Sequence, residues 1–152
     1  MRVLVVHAHP VTASFNASLF RMTVDRLKTN GHKVDVMDLY ADGFNPVMSE
    51  EERINYHNLE VNREPVADYV ERLLNAEALV LVYPVWNYGF PAILKGWFDR
   101  VLAFGWAYHR RERFVSGRLR GRRAMLSQNS GGPEKGFAAG TMFAPLDQLV
   151  FP

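Results

Sequence analysis

Apolar residues fall along this chain in two alternating rhythms. Arg2 to Ala8 (RVLVVHA) and Ala78 to Pro84 (ALVLVYP) are almost unbroken apolar runs, the pattern of strands buried on both faces of a parallel sheet. His32 to Tyr40 (HKVDVMDLY) sets Val34, Val36 and Asp38 against Asp35, Met37 and Leu39 and predicts another strand, and Arg122 to Gln128 (RRAMLSQ) predicts a short fourth one. Between them the period changes to that of a helix. Phe20, Val24 and Leu27 recur four and three apart from a start at Ser14, with Asn30-Gly31 as the stop. Val66, Tyr69, Val70, Leu73 and Leu74 form a second stripe behind Pro65, and Ile93, Leu94, Trp97, Phe98, Val101 and Leu102 a third. Ala41 to Glu64 is polar and irregular, with DGFNP turn chemistry and an SEEE segment that reads as a helix start.

Strands alternating with helices predict an open, doubly wound α/β sheet, expected to form a single domain over 1–152. Ligands of such sheets bind outside the carboxyl ends of the strands. Three segments follow those ends: HAHPVTASFN, PVWNYGF and SQNSGGP. In the first, Thr12, Ser14 and Asn16 open a helix, where unpaired amides and the helix dipole favour an anion such as a phosphate; simple capping by Ser14 is the alternative. In the second, Trp86 and Tyr88 sit on a turn stiffened by Pro84, Gly89 and Pro91. There they can pack on a planar ring or at a subunit contact. In the third, Gly131 and Gly132 permit close backbone approach to a ligand, or simply make a loop.

Composition trims the possibilities. The 152 residues are 48% hydrophobic and 22% charged, with no cysteine, which fits one globular core and excludes disulfides and thiolate metal sites. No apolar run approaches the ~18–20 residues of a membrane span, and the amino terminus lacks the form of a secretory signal; a cytoplasmic protein is expected. The net charge is +2, but Arg110 to Arg123 holds seven arginines against Glu112 alone. That stretch is an anion patch or a solvated basic loop. No nucleic-acid-binding motif accompanies it, so nucleic acid is not an expected partner.

A phosphate at one end and a flat heteroaromatic ring at the other describe a flavin, and no GxGxxG follows the first strand. The segments HAHP…SFN, NPVMS, PVWNYGFPAILKGWFDRV, GWAY and SGG, in this order, resemble the NAD(P)H:quinone oxidoreductase family. That family includes DT-diaphorase and the ancillary subunits of glutathione-gated potassium efflux systems. The resemblance runs over essentially the whole chain, and its PVWNYGFPAILKGWFDRV block is the most specific part.

The resemblance implies a flavodoxin-like sheet of order 2-1-3-4-5 and a homodimer with its site at the subunit interface. It also implies non-covalent FMN or FAD, with NAD(P)H as cosubstrate and a quinone or similar acceptor. On this basis His9, Ser14, Phe15 and Asn16 are expected at the phosphate and ribityl end. Pro84, Val85, Trp86, Asn87, Tyr88 and Gly89 are expected along the isoalloxazine. Asn129, Ser130, Gly131 and Gly132 are expected on its pyrimidine side, with Trp106, Tyr108 and Tyr88 walling the substrate pocket. No catalytic side chain is assigned. Phe137 stands where relatives often carry a tyrosine. The chain stops at Pro152, shortly after a helix pattern at Leu146, Leu149 and Val150, so the order is expected to be 2-1-3-4, without the usual fifth strand and truncated relative to the family.

Two other readings come from the same residues. A non-catalytic regulatory subunit of a potassium efflux system would keep the fold and bind a membrane transporter. A metal-dependent hydrolase would use His7 and His9, which the i, i+2 spacing places on one face of a strand end.

Overall fold

The structure, a computed structural model, describes residues 1–109 and 119–131. Four strands, β1 (Arg2–His7), β2 (Lys33–Asp38), β3 (Ala78–Pro84) and β4 (Arg123–Asn129), form one parallel sheet in the order β2-β1-β3-β4. This flavodoxin-like arrangement is the one expected. The segments after Gly131, and with them Gly132, Phe137 and the Leu146 helix pattern, lie outside the described residues.

Helix α1 (Phe15–Thr29) covers one face of the sheet, packing Val24, Phe20 and Leu27 against Val3, Val5, Val80 and Val82. On the other face Leu4, Val6, Leu81 and Tyr83 join α4 (Ala67–Asn75) and α5 (Ala92–Val101) through Val70, Leu73, Leu94, Trp97 and Val101. Alternate residues of β1 and β3 thus serve opposite cores, which is why both strands are apolar throughout. The edge strand β2 departs from that symmetry. Its buried side chain is Met37, followed by Leu39, whereas Val36 is 38% exposed. On the α4 face Met37 is buried while Lys33 and Asp35 stay exposed, and on the α1 face Val34 is half-buried.

The polar excursion before α4 contains two short helices, α2 (Glu50–Ile54) and α3 (Leu59–Arg63), and a single 3-10 turn over Glu64–Val66; α4 itself begins at Ala67. The SEEE signal is a full capping box: the Glu52 amide donates to Ser49 Oγ at 3.1 Å and the Ser49 amide to Glu52 Oε2 at 2.8 Å. Glu52 also receives Nε of the buried Arg100 at 2.7 Å, and Arg100 bonds the Asn45 carbonyl. The excursion is thereby clamped to α5. Gly96 permits the fit, because a Cβ there would collide with the backbone of Pro46.

Candidate functional site

The carboxyl ends of β1, β3 and β4 point to one pole, and their loops are tied together there. Asn16, buried in the first turn of α1, donates its side-chain N–H to Asn129 Oδ1 at 2.6 Å. The Val85 amide donates to the Asn129 carbonyl at 2.8 Å, extending the β3–β4 ladder by one bond. His9 packs beside Trp86, ring centroids 5.7 Å apart. All three predicted segments therefore meet.

Ser14 caps α1: its hydroxyl accepts from the Ala17 amide at 3.1 Å. The capping reading of the motif holds for this side chain. Phe15 and Asn16 occupy the first helical turn, whose amides precede the first intrahelical bond and point at the pole. Phe15 is 68% exposed there, and Asn16 Oδ1 is buried with no hydrogen-bond partner among the described residues. His9 is steered by the Val11 amide, which donates to its Nδ1 at 3.0 Å. The Val11 carbonyl lies 3.2 Å from the same nitrogen.

The aromatic turn is a two-residue hairpin. Trp86 and Gly89 exchange both backbone hydrogen bonds, at 3.1 and 3.0 Å, and the residues between them are left-handed, with φ of 47° at Asn87 and 64° at Tyr88. This is the two-residue, doubly positive-φ turn usually made by Asn-Gly. Tyrosine in that conformation costs about 1–2 kcal/mol. The strain is met at a place where Trp86 and Tyr88 stay 41% and 47% exposed. A core would not keep two large rings in that condition. The orphaned Asn16 oxygen, the helix amides and the exposed rings together suit a ligand with a polar end and a flat aromatic end.

The expected substrate pocket is divided. Trp106 is buried and donates its indole N–H to the Val101 carbonyl at 2.7 Å, so it braces the end of α5. Tyr108 lines a cavity of about 610 Å³ with Arg53, Tyr56, His57, Phe98 and Asp99, and neither Tyr88 nor Trp106 belongs to that lining. The aromatic turn precedes α5, which is capped at Pro91, and Tyr108 follows its other end at Leu102.

Tyr56, like Arg53, His57, Phe98 and Asp99, lines this cavity without having been assigned to it from the sequence. Its hydroxyl and that of Tyr108 share a 2.8 Å hydrogen bond. Burial, reinforced by that bond, pushes the Tyr56 phenol up to about 12. It falls in the irregular excursion, where no periodicity marks it; only its place just after the capping box could have.

His7 and His9 are not brought together as metal ligands. His7 Nδ1 meets Asp38 Oδ2 at 2.9 Å, and its ring stacks on Phe20 with centroids 4.3 Å apart. Among the described residues no group of three or more His, Cys, Asp or Glu side chains is placed to hold a metal. Nor is any described helix long and apolar enough to cross a membrane.

A family profile described as having a flavodoxin-like fold matches residues 1–152. A ribosyldihydronicotinamide dehydrogenase-like protein of Penicillium crustosum is 31% identical over all of this chain and 66% of its own length. The human ribosyldihydronicotinamide dehydrogenase [quinone] is 35% identical over 86% of this chain and 64% of its own. The chain thus spans a little under two thirds of the length of these curated relatives. Among solved structures, the NAD(P)H:quinone oxidoreductase from Methanothermobacter marburgensis superimposes with a TM-score of 0.76 at 33% identity, covering 90% of this chain and 70% of that one. The chain belongs to the flavodoxin-like family of NAD(P)H:quinone oxidoreductases.

Proposed function

We propose that this chain binds FMN or FAD non-covalently and forms the flavin-binding part of an NAD(P)H dehydrogenase that reduces quinones. The observation that carries the reading is the convergence at one pole of the Asn16–Asn129 bond, the first turn of α1 and the two rings on a strained hairpin. When bound, the flavin would supply the acceptance and donation of hydride.

The side chains have separate tasks. The opening amides of α1, with Asn16, would bind the phosphate and ribityl end. Trp86 and Tyr88 would lie against the ring system and exclude water from it, while the backbone of Val85 to Gly89 and of Asn129 to Gly131 would fix its edge. His9 would complete the polar end, oriented by Val11. The nicotinamide donor and the quinone would take turns on the open side.

The division of the pocket bears on assembly. Tyr108 and Tyr88 stand at opposite ends of α5 in one chain, which supports a homodimer in which each aromatic turn faces the Tyr108 cavity of a second copy. Light scattering on the eluted protein reads the dimer directly.

Retention tests the cofactor. The full chain, incubated with FMN or FAD and separated from free flavin, is expected to keep about one flavin per chain. Failure to keep either would overturn the proposal.

A further inference from the structure

The arginine-rich stretch finds no use in the candidate site. Its described members lie at the opposite pole, where the strands begin, separated from the aromatic turn by the length of β3, ~20 Å for seven residues. A cavity of about 410 Å³ opens there between the starts of β1 and β4 and the end of α4, lined by Arg2, Arg120, Arg122 and Arg123 with Glu77.

These arginines divide by what they touch. Arg122 donates to the carbonyls of Leu73, Leu74 and Ala76, which closes the carboxyl end of α4. Arg2 donates Nε to the Asn75 carbonyl at 2.7 Å and is one of the residues lining the cavity. Arg120 and Arg123 are exposed, and their guanidinium groups have no hydrogen bond or ion pair among the described residues. The single carboxylate, Glu77, is turned to the Arg2 amide at 2.7 Å and held below its usual range, chiefly by that bond. Among the described residues the result is a concave site with four guanidinium groups against one carboxylate, two of the four without a partner there. The planar fork of arginine matches phosphate oxygens in pairs, and two forks on one cavity suit more than one phosphate.

We propose that this pole is a second, separate anion site that binds the diphosphate group of a small molecule through Arg120 and Arg123, with Arg2 at the rim. The site is independent of the flavin reading, because none of its residues belongs to the aromatic pole.

The test is an amide-resolved NMR titration of the full chain with inorganic pyrophosphate at low salt, with sulfate as the comparison anion. Shifts are expected at Arg2, Glu77 and residues 120–123, with an affinity about tenfold above that for sulfate. R120A/R123A is expected to lose about tenfold while melting within about 3 °C of the parent. Should the double variant fail to fold, R120Q and R123Q, each tested singly, carry the same comparison. Shifts confined to Phe15–Ala17, equal affinity for sulfate, or unchanged binding in the variants would each mean an adventitious ion only and overturn the proposal.

Discussion

Asn16 and Asn129 stand 113 positions apart in the chain, yet their side chains share a 2.6 Å hydrogen bond that closes one pole of the sheet. It joins the first turn of α1 to the last residue of β4. Asn16→Ala would leave the Asn129 oxygen without its donor, at a cost of about 1–3 kcal/mol. The expected result is a lower urea midpoint with an unchanged slope, together with clearly weaker flavin retention. A variant as stable as the parent, with undiminished retention, would show that the bond organises nothing.

Tyr88 separates stability from binding. Its φ of 64° is strained for tyrosine and free for glycine. Tyr88→Gly is therefore expected to change stability by only about 0–1 kcal/mol, in the favourable direction, because relief of strain is partly offset by a more flexible unfolded chain. Flavin retention should nevertheless fall. Equal losses of both in a denaturation and binding series would place Tyr88 in the structure rather than the site.

The excursion carrying Tyr56 depends on Glu52. Burial pushes its carboxyl up, but bonds from the Ser49 amide, Arg100 and the Ser49 hydroxyl outweigh that and hold it below the ordinary 4.5. A depressed folded value stabilises above the unfolded value and is lost as pH falls through the folded one. Urea midpoints should therefore drop from about pH 4.5 downward, with a shallower drop in Glu52→Gln. Because the ion pair is buried at both ends, Glu52→Ala should cost roughly 3–5 kcal/mol. A midpoint that is flat with pH in both proteins would refute this role.

The hydroxyl pair at the cavity makes its own prediction. Tyr56→Phe and Tyr108→Phe each break the same bond, so their effects on quinone KM should fail to add, with a coupling of about 0.5–1.5 kcal/mol. Flavin retention should hold in both. Additive effects would mean that the two phenols act apart.

Much of the fold was legible because burial on both faces forces apolar strands. β1 and β3 declared themselves this way, and α4 and α5 by their stripes. β2 was harder to read. At an edge, Val36 can face outward while Met37 goes in, so alternation alone does not say which side is covered. The aromatic turn was legible through its composition, but its geometry was not. Nothing in WNYG announces two left-handed residues without glycine between the paired positions. The Tyr56–Tyr108 bond, like the Asn16–Asn129 one, was invisible for a simpler reason: long-range pairs between polar side chains leave no period.

Anaerobic titration of the flavin-loaded full chain tests whether it passes hydride from NAD(P)H to a quinone. Addition of NADH or NADPH, followed by a small quinone such as menadione, is monitored through the flavin absorption band. One donor is expected to bleach the band at about one equivalent per flavin, and the quinone to restore it. A chain that holds flavin, yet keeps its band unchanged with both donors, would contradict the dehydrogenase reading.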